Sequence, residues 1–302
     1  MVLTKLNIPE KLLLGFFAYL TAGAFLFSLD GRLRLIVVVL NGLIAGVILL
    51  VSHTKPAGER GLLSALRPWM PVFFILVAYR ESGLFYTPDP SHRLDSLFIR
   101  IDNVILRNPS VLRTLDWSAP WLQYYLELSY LLCYPIVPLG LASLYLVHQK
   151  GAPEIRPEDA SGKADAASPT TRLAMNHFWM AVLLASFSCY LLFPFFPLAP
   201  PRELFNDVPG PRVAPLLRAM NHWLLGKYSV GASLFPSAHV AATTAAALAI
   251  RRYLPRVGWL FGVVAASIAL ATVYGRYHYA LDAVAGAFVG VIAFLLSCRL
   301  VK

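Results

Sequence analysis

The sequence predicts an all-α fold, a polytopic membrane helix bundle of about eight transmembrane helices with one amphipathic helix in the interface. Three features carry that expectation. Hydrophobic residues make up 58% of the 302-residue chain and charged residues 14%, where an ordinary soluble domain has about 45–50% and about 25%. The mean hydropathy is +0.62, and the apolar residues come in runs, not in amphipathic alternation. The formal net charge is +10, from 26 Lys and Arg against 16 Asp and Glu. Charge is costly in lipid, so these cations belong at the membrane surfaces or at a site that wants them. Disorder, collagen-like repeats and a small disulfide scaffold are excluded.

About twenty apolar residues cross the hydrocarbon core as a helix. The first such run, 12–29, follows Lys5 and Lys11 and lacks a small-residue cleavage site, so it is expected to be an uncleaved span. A second at 35–52 completes an N-terminal region, residues 1–66. Residues 67–302 form the rest, with spans at 67–80 (short and Pro-interrupted), 119–147, 174–194, 237–254, 256–273 and 279–299. Segment 91–118 spaces Leu94, Leu97, Phe98, Ile101, Val104 and Ile105 helically, with Arg93, Asp95, Arg100, Asp102 and Arg107 between them. It is expected to lie in the interface as a surface anchor. Residues 151–171, rich in Ala, Pro, Ser, Asp and Glu, are expected to be a flexible cytoplasmic loop. The proline-rich, basic stretch 194–236 cannot sit exposed in lipid with unpaired backbone groups. It belongs at the interface or along a polar cavity. Cys133, Cys189 and Cys298 lie apart in apolar runs and read as packing residues.

Eight spans put both termini on one side. Fourteen Lys and Arg then fall on that side and twelve on the other. The short loop holding Arg251, Arg252 and Arg256 marks the cytoplasmic face. The outer face keeps more arginines than topology needs.

Three strings converge there: Ala-Pro-Pro-Arg (199–202), Phe-Pro-Ser-Ala-His (235–239) and Tyr-Gly-Arg-Tyr-His-Tyr-Ala-Leu-Asp (274–282). Pro236, Ser237 and Ala238 open a helix whose free N–H groups suit an anion, and His239 lies in that first turn. His278 and Asp282 are four apart on one helix face. The carboxylate can take the Nδ1 proton and leave Nε2 as a nucleophile. Arg202 and Arg276 offer planar donors matched to phosphate oxygens. Together these groups suit phosphoryl transfer, one imidazole attacking and the other protonating the leaving oxygen. A zinc hydrolase using His239, His278 and Asp282 as ligands, and a non-enzymatic lipid transporter, are the competing readings.

Pro-Ser-Ala-His (236–239), His278-x3-Asp282 and the preceding Pro201-Arg202 resemble the type-2 phosphatidic acid phosphatase superfamily, over roughly 172–302. Residues 95–147 resemble its inositol-phosphorylceramide-synthase-like branch. The resemblance implies a phosphatase-like core of about six helices within 67–302, its motifs within 194–302. It implies His278 as the nucleophile forming a phosphohistidine, Asp282 as its orienting partner and His239 as the general acid. Arg202, Ser237 and Ala238 would bind phosphate. It further implies a membrane lipid phosphate or diphosphate as substrate, hydrolysed or transferred to an acceptor alcohol, with no cofactor, no metal and no nucleic-acid partner. A Lys before the first motif is missing, the second motif has Ala238 where Gly is usual, and Ala271-Thr272 stand where Ser-Arg is usual. Arg276 is expected to take the absent arginine's place. The expected setting is the lipid bilayer of a bacterial inner membrane, the site facing outward and both termini cytoplasmic.

Overall fold

The computed structural model describes residues 6–53, 66–85, 94–106, 120–150, 169–204, 215–232 and 235–301. These residues form α1 (Ile8–Leu26), α2 (Gly31–Ser52), α3 (Met70–Ser82), α4 (Asp95–Leu106), α5 (Pro120–Leu131) and α6 (Ile136–Lys150). The chain continues as α7 (Pro169–Leu192), the single turn α8 (Pro201–Leu204), α9 (Pro215–Tyr228), α10 (Ala238–Tyr253), α11 (Pro255–Tyr274) and α12 (Ala280–Leu300). The all-helical expectation holds. Helix starts follow local chemistry. Asn7 Oδ1 accepts from Glu10 N–H at 2.8 Å while Glu10 Oε2 accepts from Asn7 N–H at 2.9 Å, a reciprocal cap. Asp30 caps α2 through Leu33 N–H, and Pro255 opens α11.

Five helices, α1, α2, α7, α11 and α12, are long and apolar enough to cross a membrane. The bent pair α5–α6 would make a sixth. The other two runs read as spans, α3 and α10, have 13 and 16 residues. The expected continuous span at 119–147 is instead broken, its halves bent by 72°. Pro135 lies in the break and cannot donate a helical N–H. Non-helical backbone at such a depth is tolerated where protein covers it or a cavity takes it. Of the stretch expected to lie in the interface, Asp95–Leu106 forms an amphipathic helix; the rest of 91–118, apart from Leu94, lies outside the described residues. Residues 151–168 of the expected loop lie outside them too, and 169–171 already belong to α7. The proline-rich stretch contains a second amphipathic helix, α9, exposing Leu216, Met220 and Trp223 while burying Asn221 and Leu225.

α10 is the packing centre. It contacts α6, α7, α11 and α12, and its Ala-rich surface buries Ala241, Ala245, Ala246 and Ala249. α12 comes close because Gly286 and Gly290 face it: a Cβ at Gly286 would sit 2.5 Å from Ser237 O, and one at Gly290 2.6 Å from Ala241 O. This is the small-xxx-small spacing by which membrane helices bring backbones together. At the opposite end of the bundle Arg67 Nε and Nη2 grip the buried Glu10 at 2.6 and 2.8 Å, joining the entries of α1 and α3.

Candidate active site

The close α10–α12 contact sets two helix starts side by side. Ser237 is the N-cap of α10, and its own N–H donates to Asp282 O at 3.1 Å. That bond ties the start of α10 to the first turn of α12. Across it the rings of His239 and His278 face each other edge to face, with centroids 6.0 Å apart. His278 Nδ1 lies 3.3 Å from Asp282 Oδ2, and the same oxygen accepts from Tyr279 N–H at 3.2 Å. Asp282 is fully buried and His278 nearly so. The predicted His–Asp pair is present, and its neighbour in space is the other predicted histidine.

The two arginines arrive on backbone scaffolding. Arg202 N–H donates to Arg276 O at 3.0 Å, which locks the 199–202 string onto the turn before α12. In that turn Tyr277 and His278 N–H both donate to Thr272 O, and Arg276 takes φ +60°, a left-handed conformation uncommon outside glycine. Burial and the neighbouring Arg218 guanidinium pull Arg276 below the ordinary guanidinium range. Thr272, where the resemblance places an arginine, is fully buried. Ser237 is fully buried too, its Oγ turned to Val240 N–H, and Ala238 is buried beside it. The hydroxyl therefore caps α10 in this conformation.

Several residues around the site are absent from the sequence expectation. Glu127 on α5 accepts from Arg218, Asn221 and Tyr277. Arg218 is thus half of an ion pair. Tyr130 stacks on Tyr277 with centroids 3.9 Å apart. Tyr130 and Tyr134, on either side of the start of the α5–α6 break, bring their rings to 6.1 and 5.9 Å from that of His239. The signal for Glu127 was an acid inside an apolar run, which in a membrane protein marks a site by default. His222, on exposed α9, approaches Tyr277 at 6.3 Å between centroids. Burial and the charges of Arg218 and Arg202 hold its pKa below the usual imidazole range.

α4 is more than an anchor. Asp102 accepts from Ala280 N–H at 2.8 Å and Leu281 N–H at 3.2 Å, capping α12, and Asp95 accepts from Ala199 N–H at 2.8 Å. Phe98, on the same face, packs on Tyr279 and Phe235. Leu97 and Val104 point outward. Burial raises the Asp102 carboxyl above its ordinary range, although the two N–H donors pull the other way.

Among the described residues no three His, Cys, Asp or Glu side chains gather in a way that could hold a metal ion. Asp282 stands at the Nδ1 side of His278 as an orienting partner would.

No curated protein and no solved structure matches the chain. The stretch running from the start of α7 into α12, residues 169–296, matches the family model of the PAP2 superfamily, and both histidines, Asp282, Arg202 and Arg276 fall inside it.

Proposed function

We propose that this chain is an integral-membrane phosphoric-ester hydrolase or phosphotransferase that cleaves a lipid phosphate ester or diphosphate without a metal, through a phosphohistidine. The observation that carries it is the Asp282–His278 pair facing His239 across 6.0 Å. With Nδ1 held by the carboxylate, Nε2 of His278 keeps its lone pair and attacks phosphorus. The bond from phosphorus to the lipid oxygen breaks, and protonated His239 gives that oxygen its proton. Neutral His239 then takes a proton from water as the water oxygen attacks phosphorus. The P–N bond breaks, inorganic phosphate leaves and His278 is restored.

Arg202 and Arg276 hold the phosphoryl oxygens, together with N–H groups at the start of α10 near Ser237 and Ala238. The backbone bond from Arg202 N–H to Arg276 O supports this, because it brings the two arginine-bearing segments together. The match over 169–296 supports the reaction class. The Arg251, Arg252 and Arg256 turn at the far end of α10 supports a cytoplasmic face opposite the site, and we assign the site to the outer face of a bacterial inner membrane.

Transfer to an acceptor alcohol is the second reading. The rings of Tyr130 and Tyr134 beside His239 favour it, since they wall the flank from which a second oxygen would approach. An inositol-type alcohol fits the resemblance of residues 95–147.

The test is turnover by purified protein on a panel of lipid phosphates and diphosphates, with and without inositol-type alcohols. Free phosphate reports hydrolysis and a new phosphodiester reports transfer. Vanadate should inhibit and a chelator should not. Activity abolished by chelator and restored by zinc would overturn the metal-free route, and no turnover on any lipid would overturn the reading.

A further inference from the structure

Glu127 is an acid placed where an acid is expensive. It is 1% exposed, and a charge buried so deeply is tolerated when it is paired and hydrogen-bonded. Arg218 Nη1 reaches Oε1 at 2.6 Å. Asn221 Nδ2 reaches Oε2 at 2.7 Å, and the Tyr277 hydroxyl donates to that same oxygen at 2.7 Å. Arg218 also donates from Nη2 to Gly275 O at 3.5 Å. The turn is therefore gripped at Gly275 and at Tyr277, on either side of Arg276. A left-handed non-glycine residue is strained and persists where its surroundings fix it. His278 follows Tyr277 directly.

We propose that Glu127 is a positioning residue for phosphoryl transfer, acting through Tyr277 and Arg218 on the turn that carries Arg276 and His278. The proposal rests on the assignment of His278 as nucleophile. Burial, with the Glu127 charge beside it, holds the Tyr277 hydroxyl well above the ordinary phenol range, so it remains a donor. Tyr130 links Tyr277 to His239 by stacking on one ring and meeting the other. A shift of Tyr277 is therefore felt on both histidines.

A merely structural network, joining α5 to α9, makes a different demand. The Arg218 and Asn221 bonds would serve it, and the Tyr277 hydroxyl would be dispensable. The experiment measures kcat, KM and melting temperature for Tyr277→Phe, Glu127→Gln and the double variant, on whichever lipid phosphate the wild type cleaves fastest. Tyr277→Phe should lower kcat about 10–100-fold, roughly what a hydrogen bond to a charged group is worth. Its KM should stay within about threefold, and its melting temperature within about 4 °C, the shift expected from losing one hydrogen bond. The two losses should not multiply in the double variant, because Glu127→Gln weakens the acceptor of the same hydrogen bond that Tyr277→Phe removes. A Tyr277→Phe protein with wild-type kcat, or losses that multiply in the double variant, would overturn the proposal. If Glu127→Gln fails to fold, Tyr277→Phe, which removes one oxygen, decides alone. A wild type without turnover on any lipid phosphate overturns the functional reading and this proposal with it. An active wild type with an equally active Tyr277→Phe overturns the proposal alone.

Discussion

α2 and α10 are both apolar helices, and they are opposites. α2 is the most apolar of the candidate spans and turns Leu35, Val39, Leu43, Val47 and Leu50 outward. α10 is shorter, built from Ala and Thr, and is surrounded by four helices. Hydropathy in a membrane chain therefore reports contact with lipid more than depth in the protein. Lipid tails are as apolar as Leu, so helices join through close packing of small residues. The candidate chemistry sits at the start of the small-residue helix. The most apolar helix carries none of it.

The sharpest test of that contrast is at the histidines. His278→Ala and His239→Ala should each reduce turnover by about a thousandfold or more, with the melting temperature in detergent unchanged. A matched pair of glycines comes next. Gly286→Ala drives a methyl against Ser237 O and should cost about 1–3 kcal/mol, the usual penalty of overpacking, with turnover falling because the cap of α10 moves. Gly42→Ala on α2 meets open space and should stabilise by up to about 1 kcal/mol from helix propensity, with no change in turnover. If the two glycines behave alike in thermal melts, the contrast between the helices fails. Asp282→Asn should be milder than loss of the imidazole, about 10–100-fold in kcat, because it leaves the nucleophile present but misoriented.

The smallest effect is at Asp102. Its raised pKa means that the folded protein holds the proton more tightly than the unfolded chain. That contribution to stability is complete below the ordinary carboxylate range and is lost as pH rises through the raised value. Asp102→Asn has no such slope. The melting temperature of the wild type relative to Asp102→Asn should therefore improve as pH is lowered from 7 to about 5, a window above the ordinary Asp value.

Helices were legible in the sequence because run length, caps and proline positions act locally. The His278–Asp282 pair was legible as a four-residue spacing, although His278 stands in the turn just before the N-cap of α12 and not on a helix face as the spacing predicts. The meeting of His239 and His278 follows from chain direction, since each stands at the start of one of two parallel, closely packed helices. What stayed hidden depends on distant partners. Glu127 meets Arg218 across 91 residues, and Asp102 meets Ala280 across 178. No periodicity encodes such pairs. The break at Pro135 was hidden differently: the apolar run continues through it, so hydropathy hides the bend that brings Tyr134 to His239. The arginines of the proline-rich stretch and the 276 turn were legible as a group but not in their division, since Arg218 is held by the buried Glu127 and Arg202 lies 3.5 Å from the exposed Glu203.

The surface helix α4 has a mechanical consequence. Its outward residues, Leu97 and Val104, are exposed, while its inward acids fasten to the loop at Ala199 and to the first turn of α12. α4 and the candidate nucleophile thus share a lever. On the proposed setting of α4 in the interface, a headgroup layer holding it flat would keep the acceptors under Ala280 and Leu281 in register. A protein extracted into a detergent that lets α4 lift is a lever without a fulcrum, and lipid added back should restore its rate.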